Sequence, residues 1–304
     1  MIHAGVIRNL KSHRNQAEGP RAMPPGVLEA LPDQPDDLDE VLAWFAQSGV
    51  ELIVIDGGDG TVRDVLSRVT RAYGGNLPRF AIIPSGKTNA LALDLGMRLG
   101  TPVEEVLAVA KDGGRSKLRC CLEVVRDGQN EPDLRGFLLG LGAFVRATEH
   151  AQQIHGRGFI DKAAIAITLA GAAVRTLAGD AEDPWRRGEP ASVAFGDDDH
   201  KTRNWFLVLA STLKRFPLGL RPFGAPHEGL KVLTVEAPPR QLWPAIPAIL
   251  RGSQASWLAE AGYRRTDAPA VRLSSAGTFV LDGEIFPAGD VTVRQGPDVE
   301  FVLT

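Results

Sequence analysis

An apolar strand that leads into a glycine-rich turn is the feature that most constrains the fold of this 304-residue chain. The turn lies within the run Val54-Ile55-Asp56-Gly57-Gly58-Asp59-Gly60-Thr61, and an amphipathic helix is predicted after it. Glycines in such a turn let the backbone take positive φ and let a bulky phosphate approach the amides. The helix that starts near Thr61 would aim further amides at the same charge. Asp59 fits beside phosphates only if Mg²⁺ or a hydrogen-bond network lies between them. The run predicts a phosphate-binding turn, with a merely permissive tight turn as the alternative.

A second turn between a strand and a helix follows, in the run Ile82-Ile83-Pro84-Ser85-Gly86-Lys87-Thr88-Asn89-Ala90-Leu91-Ala92. Turns that follow neighbouring parallel strands lie side by side at the carboxyl edge of a sheet, so we expect one phosphate chain to bridge both. Ser85, Gly86 and Thr88 offer amides or hydroxyls. Asn89 either binds a nucleotide or caps the helix, and Lys87 either brings a positive charge to the site or is a solvated surface lysine.

Strand and helix signals alternate in residues 1–113, which predicts a first domain with a parallel sheet covered by helices. Apolar runs at 4–7, 51–55 and 80–83 are the strands. Acidic residues and the spacing of apolar side chains predict a helix from about Asp37 that ends at Gly49. Residues 15–36 are rich in proline and polar residues and are interpreted as a surface loop.

Residues 114–304 carry short β-rich segments separated by turn signals, which predicts a second domain of sandwich or barrel-like type. The segment 137–145 is interpreted as one of these strands. Two helices are expected to interrupt the β segments, near 161–178 and 241–251. The C-terminal segment has the further option of packing back toward the first domain.

Composition narrows the function. The chain has 34 Lys and Arg against 37 Asp and Glu, so no global positive field attracts nucleic acid. Cys120 and Cys121 are adjacent and are interpreted as reduced core residues. The most apolar helical stretch, 163–174, is too short to cross a bilayer, and no leader pattern is evident at the N-terminus. We therefore expect a cytoplasmic protein.

The two turns together resemble the nucleotide loops of the diacylglycerol kinase catalytic family, and Asn89-Ala90-Leu91-Ala92 is similar to the form in sphingosine kinases. Asn9-Leu10-Lys11-Ser12 stands where that family has Asn-Pro-x-Ser-Gly, although Leu10 and His13 replace the Pro and the Gly. Leu281-Asp282-Gly283-Glu284 resembles the family's Asp-Gly-Glu element. The motifs occur in the family's order over most of the chain.

The resemblance implies a Rossmann-like three-layer α/β domain over 1–113, a β-sandwich domain over 114–304, and ATP with Mg²⁺ in an active-site cleft between them. The residues it assigns to ATP are Asn9, Ser12, Gly57, Gly58, Asp59, Gly60, Thr61, Ser85, Gly86, Lys87, Thr88, Asn89 and Arg157. Arg157 is equally well interpreted as a surface residue.

Three carboxylates complete the expected centre. Glu284 is assigned as general base, and Asp59 and Asp282 as ligands of the catalytic Mg²⁺. We expect the i, i+2 spacing of Asp282 and Glu284 to place both on one face of a strand, with a polar hairpin turn as the alternative. Glu228 is the one acidic residue left where many bacterial members of the family hold a structural Mg²⁺.

The implied activity is transfer of the γ-phosphoryl group of ATP to a hydroxyl of diacylglycerol or a related lipid. Candidates for an apolar acceptor cavity are Leu139, Leu141, Phe144, Ile160 and Ile167. The segment Pro184-Trp185-Arg186-Arg187 suits a transient peripheral contact with anionic headgroups, with an ordinary surface loop as the alternative. A homodimer is left open. The competing hypotheses are a kinase of a soluble acceptor, such as an NAD kinase, and a catalytically weak nucleotide- or lipid-binding regulator.

Overall fold

Continuous apolar runs become strands that are buried on both faces, as parallel strands between helices require. The computed structural model describes residues 3–18, 22–155, 184–196 and 202–304. Its strands are β1 (Ala4–Arg8), β2 (Leu28–Ala30), β3 (Leu52–Gly57), β4 (Arg79–Pro84), β5 (Ser116–Arg126), β6 (Leu134–Gly136), β7 (Leu138–Gly142), β8 (Glu189–Phe195), β9 (Thr202–Ser211), β10 (Lys231–Glu236), β11 (Tyr263–Asp267), β12 (Ala270–Leu281) and β13 (Glu284–Val302).

The described helices are α1 (His13–Glu18), α2 (Asp37–Gln47), α3 (Asp59–Tyr73), α4 (Ala90–Leu95), α5 (Val103–Lys111), α6 (Ala143–His155), α7 (Pro184–Arg187), α8 (Leu242–Leu250) and α9 (Ser256–Glu260), with a 3₁₀ turn at Pro217–Gly219. The chain divides into two compact units. Unit 1 comprises Met1–Cys121, Leu134–Gly136 and Gly296–Thr304, and unit 2 comprises Leu122–Asp133 and Phe137–Gln295.

Unit 1 contains the parallel sheet that the sequence predicts. Strands β2, β1, β3 and β4 pair in that order, all parallel, and Phe301 near the end of β13 pairs in parallel with Phe80 of β4. On one face, Val6, Val54 and Ile83 pack with Val106 of α5. On the other, Phe45 of α2 lies against β1, and α2 packs on α3. Unit 1 is therefore a sheet with helices on both faces.

The helix predicted from about Asp37 is confirmed as α2. Its buried residues Leu38, Leu42 and Phe45 follow the predicted apolar spacing. Gly49 takes a positive φ of 68° after the last turn, which is the conformation that commonly ends a helix.

The interpretation of residues 15–36 as only a surface loop is wrong in part. The segment supplies most of α1 and the three-residue strand β2, which pairs in parallel with β1. A strand of three residues is too short to show an alternating pattern, so its pairing could not be read from the sequence.

Unit 2 is built largely from antiparallel strands. Its pairing runs β11, β10, β9, β7, β12 and the first part of β13. Strand β8 pairs with both β9 and β12, so β7 and β8 occupy the same place in the sheet at different heights. The helix expected near 241–251 is confirmed as α8, whereas the one expected at 161–178 lies outside the described residues.

The interpretation of 137–145 as one strand is also wrong, because β7 ends at Gly142 and α6 begins at Ala143. Gly142 has a φ of 69°, which turns the backbone out of the strand. Gly140 leaves room for Phe144, whose ring would be 2.3 Å from a Cβ at that position. None of the helices in the described ranges is long and apolar enough to cross a membrane.

The contact between β1 and α2 depends on the missing side chain of Gly5. A Cβ at Gly5 would lie 2.5 Å from the ring of the fully buried Phe45, so Gly5→Ala should lower the free energy of unfolding by about 1–3 kcal/mol through overpacking. Gly75→Ala is the control, since nothing lies within 4 Å of a Cβ there. Urea denaturation of both variants measures the effect, and equal stability of the two would contradict this account of the packing.

Candidate active site

The two glycine loops of unit 1 touch each other through their backbones. The parallel pairing of β3 and β4 continues to Gly57 and Pro84, and the Ser85 amide then donates to the Gly57 carbonyl at 3.0 Å. A Cβ on Gly58 would lie 3.0 Å from the Cα of Gly86, and one on Gly86 would lie 2.5 Å from the Cα of Gly58. The expected side-by-side arrangement of the turns is confirmed, and glycine at both positions is what permits it.

Helix α3 begins inside the first loop. Gly58 is extended and precedes Asp59, and the Val62 amide is the first to reach back, donating to the Gly58 carbonyl at 3.1 Å. The amides of the first turn have no carbonyl one turn earlier to bond. They and the helix dipole make this end of a 15-residue helix suited to an anion.

Asp59 joins the first loop to the helix that follows the second loop. Its two carboxylate oxygens accept the amides of Ala90 at 2.9 Å and of Leu91 at 3.2 Å, so Asp59 caps α4. The sequence predicts that either Mg²⁺ or a hydrogen-bond network accompanies an acid in this turn, and these bonds are such a network. Burial raises the pKa of Asp59 above its usual range, and the amide hydrogen bonds act in the opposite direction.

Asn89 stabilises the second loop from within. Its backbone is left-handed, with a φ of 50°. Its side-chain oxygen accepts the Gly86 amide at 3.0 Å, and its amide group donates to the Gly86 carbonyl at 2.8 Å. Asn89 therefore shapes the loop, while the cap of α4 comes from Asp59. Lys87 and Thr88, at the tip, are exposed.

A buried polar cluster lies beneath the loops and was missed by sequence reasoning. Asp56, 2% exposed, receives the Ser85 hydroxyl at 2.5 Å and the side-chain amide of Asn15 at 3.0 Å on one oxygen. Its other oxygen pairs with Arg8 Nε at 3.1 Å. Arg8, also 2% exposed, reaches Glu29 of β2 at 3.2 Å. A charged residue at the end of each of two apolar strands was the available signal, because buried charges require partners.

Asn9 and Ser12 come together with the first loop. The Asn9 side chain donates to the Thr61 hydroxyl at 2.9 Å, and its backbone amide donates to the Asp56 carbonyl at 2.9 Å. The amide of Ser12, whose side chain is buried, donates to the Asn9 carbonyl at 3.1 Å. The sequence-predicted residues of unit 1 thus gather around the carboxyl ends of β1, β3 and β4. Arg157 lies outside the described residues.

In unit 2, Asp282 and Gly283 form the two-residue turn between β12 and β13. Their φ values are 48° and 87°, and Leu281 pairs with Glu284 across the hairpin. The expectation that Asp282 and Glu284 share one face of a strand is therefore wrong. Asp-Gly strongly favours a tight turn with two positive φ angles, and that preference determines the geometry here.

Asp282 fixes this hairpin to the start of β7. Its carboxylate accepts the amides of Phe137 at 3.0 Å and Leu138 at 2.9 Å, and its own amide donates to the Leu138 carbonyl at 2.9 Å. Glu284 begins the next strand and is exposed. Glu284 therefore follows directly on a turn that these hydrogen bonds attach to β7.

A buried lysine, Lys231, lies near Glu228 in the chain. Glu228 is exposed and pairs with Lys214. The ammonium of Lys231, 2% exposed, donates to the carbonyls of His227 at 3.2 Å and Gly229 at 2.9 Å. Within the described ranges, no three His, Cys, Asp or Glu side chains gather as a metal site.

Of the candidate acceptor residues, Leu139 and Leu141 are buried and Phe144 is partly buried. Leu139 and Leu141 lie on β7, which pairs with β9 and β12, and Phe144 lies on α6, which packs on β7. Ile160 and Ile167 lie outside the described residues.

Comparison with known proteins agrees with this geometry. Residues 25–121 match the family model of the diacylglycerol kinase catalytic domain, a span that contains both glycine loops and Asp59. A protein of Citrobacter koseri named "Probable lipid kinase YegS-like" is 39% identical over 51 residues, which are 17% of this chain and 17% of that protein's length. The resemblance to this kinase family is confirmed for the matched part of the chain.

Solved structures extend the likeness in fold to the whole chain. A diacylglycerol kinase structure from Bacillus anthracis str. Sterne superposes with a TM-score of 0.64 at 14% identity, covering 99% of this chain and 96% of that one. A second protein of the same organism, provisionally assigned as a diacylglycerol kinase, has a TM-score of 0.68 at 17% identity with the same two coverages. The mixed α/β fold of this chain is the fold of those structures.

The raised pKa of Asp59 makes a prediction about stability. A carboxyl whose pKa is higher in the folded than in the unfolded state weakens folding when it is ionised, and this cost decreases as the pH falls below the folded pKa and is gone below the unfolded pKa. Asp59→Asn removes the titrating group but also replaces one of the two acceptor oxygens with a donor, so the test is the change with pH: on acidification the wild type should gain stability relative to Asp59→Asn. Denaturant titration between neutral and acidic pH measures the difference. The exposed Asp298→Asn serves as control, and a pH-independent difference for Asp59→Asn would exclude the proposed cause.

Proposed function

We propose that this protein is an ATP-dependent lipid kinase that transfers the γ-phosphoryl group of ATP to a hydroxyl of diacylglycerol or a related lipid. The observation that carries the proposal is the contact of Gly58 with Gly86, which places two phosphate-type turns side by side. The family match over 25–121 contains both turns, and the similarity to the Citrobacter koseri protein, whose name describes a lipid kinase, supports a lipid acceptor.

The nucleotide half of the proposal uses backbone amides. The first turn of α3 offers amides that have no helical partner, and the exposed Lys87 adds a positive charge at the tip of the second loop. Asn9 and Thr61 bond to each other and support the first loop from the side. Phosphoryl transfer depends mainly on positioning and charge neutralisation, so this scaffold suits the reaction.

Mg²⁺ enters the proposal as a companion of ATP. Protein sites hold Mg²⁺ through one or two carboxylates together with substrate phosphates. The Asp59 carboxylate accepts the amides of Ala90 and Leu91, and the Asn89 amide also acts on it. A carboxylate has about four lone-pair sites, so the residue retains capacity for a cation or its water. Bound Mg²⁺ would neutralise charge that develops on the transferred group.

The acceptor half of the proposal rests on the hairpin of unit 2. We assign Glu284 as the general base that accepts the proton of the acceptor hydroxyl. The hydroxyl oxygen then bonds to the γ-phosphorus as the bond from that phosphorus to the ADP oxygen breaks. Glu284 is exposed to an incoming substrate, and its backbone is set by a tight turn. Asp282, which binds two amides of the chain, acts as the positioning residue of this turn.

Gly86→Ala tests the nucleotide half. A methyl group at Gly86 would lie 2.5 Å from the Gly58 Cα and must force the loops apart, so the Kd for Mg-ATP should rise about tenfold or more. Isothermal titration measures the Kd, and the melting temperature establishes that the variant is folded. Gly277→Ala is the matched control, because its Cβ would be 3.5 Å from its nearest neighbour. Wild-type affinity in a folded Gly86→Ala variant would refute the proposed role of the loop contact.

Product analysis tests the reaction and the base together. With labelled ATP and separate acceptors, we expect label in diacylglycerol or a related lipid and none in NAD. Glu284→Gln should lower kcat about a hundredfold or more and leave the Kd for Mg-ATP unchanged, since general-base catalysis commonly contributes that much. The exposed Glu131→Gln should behave like the wild type. Labelled NAD would instead identify a soluble-acceptor kinase, and wild-type turnover by Glu284→Gln would disprove the assignment of the base.

A further inference from the structure

Helix α8 of unit 2 is apolar on its solvent side as well as on its core side. Leu242, Ala245 and Ile249 are buried in a cluster with residues of β10 and β11. The outward residues, here called the apolar face, are Trp243, Pro244, Pro247 and Leu250. Trp243 is 66% exposed and Leu250 is 36% exposed. A surface helix normally carries polar residues on this side, so the apolar face requires an explanation.

A further exposed apolar residue, Leu218, lies on a segment that is hydrogen-bonded to the end of the same helix. The Arg221 amide donates to the Leu250 carbonyl at 2.8 Å. Leu218, three residues earlier, is 76% exposed in a turn with a positive φ of 59°. Phe216, just before that turn, packs against the cluster beneath α8. Phe216 thus anchors the 3₁₀ turn to the cluster, and Leu218 within the turn is exposed to solvent.

The surroundings of the apolar face are positively charged. Arg240 precedes α8 and Arg251 follows it, and both are exposed, as is Arg221. The sequence has no Asp or Glu from Ala237 to Ala259. Three residues before the helix, the Arg186 side chain donates to the Pro239 carbonyl at 3.4 Å. This contact joins α7, the segment that suits a contact with anionic headgroups, to the residues that lead into α8.

We propose that the apolar face and its arginines dock this protein onto the surface of a bilayer that contains anionic phospholipids. Tryptophan is favoured at the interface of a membrane with water, and arginine can reach headgroup phosphates while its stem covers apolar surface. With nine residues, α8 cannot span a bilayer and instead lies in the plane of the interface. The proposal rests on the proposed function for its purpose, since a lipid acceptor resides in a membrane.

Charge distinguishes this occupant from a second copy of the chain. The exposed charged residues next to the apolar face along the chain, Arg221, Arg240 and Arg251, are all basic, so two copies meeting through it would bring arginines against arginines. An anionic bilayer offers the opposite charge to each of them. An anionic membrane is therefore the partner that complements both the apolar face and the arginines that flank it.

Sedimentation with vesicles free of any acceptor lipid tests the docking alone. The wild type should bind vesicles of equal parts phosphatidylcholine and phosphatidylglycerol, bind phosphatidylcholine alone much more weakly, and be released by salt. Trp243→Ser should reduce partitioning about tenfold or more through lost apolar burial. Arg240→Gln with Arg251→Gln should reduce it about fivefold for each arginine. The control Trp44→Ser removes a tryptophan that is 42% exposed in unit 1 and should bind like the wild type.

Kinase assays separate a failure of docking from a failure of the proposed function. Trp243→Ser should keep wild-type kcat on a short-chain diacylglycerol dispersed as monomers and lose activity on the same headgroup in vesicles. No binding to phosphatidylglycerol vesicles, or equal losses for Trp44→Ser, would overturn the docking proposal. So would a wild-type dimer that Trp243→Ser converts to a monomer in light scattering. If no acceptor is phosphorylated but binding still depends on Trp243, the proposed function falls and the docking stands.

Discussion

The backbone contact of Gly58 with Gly86 is the constraint on which the candidate nucleotide site depends. Two parallel strands are spaced by their hydrogen bonds, and side chains at this point would hold their following loops further apart. Glycine on both sides lets the loops continue the close approach beyond the sheet. Amides from two separate loops can then face one small region, which a single loop could not supply.

The buried cluster beneath the loops explains how they keep this arrangement. Arg8 is the last residue of β1, Asp56 is the penultimate residue of β3, and Ser85 follows β4. Burying an ion pair gains little net stability, but removing one partner leaves a costly unpaired charge. The cluster therefore penalises any shift of the three strand ends relative to one another. We infer that its main contribution is to the position of the loops and less to the free energy of folding.

Local patterns in the sequence predicted the strands, turns and helices of the site. They did not predict which residues far apart in the chain are hydrogen-bonded to each other. The strand, glycine turn and helix at 54–61 follow from apolar periodicity and glycine geometry, and the pairing of two such loops follows from parallel topology. Nothing local indicates that Asp59 accepts the amides of Ala90 and Leu91, 31 and 32 residues later. The hairpin at Asp282 was a different case, because Asp-Gly is itself a turn signal. There the motif assigned from a family resemblance outweighed a local preference that the structure follows.

The placement of Asp59 resolves an electrostatic difficulty in the proposal. A bare carboxylate in a phosphate-binding turn would repel the ligand. Here the negative charge accepts the first amides of α4, where the positive end of that helix partly compensates it. No side chain in the part of the chain that the structure describes caps the first turn of α3, so the amides of that turn remain available to a ligand. One loop can thus contain an acid that stabilises the neighbouring helix and still present a positive helix end to an anion. A larger side chain at either glycine would separate the loops and remove the acid from its amides, so the contact and the compensation depend on each other.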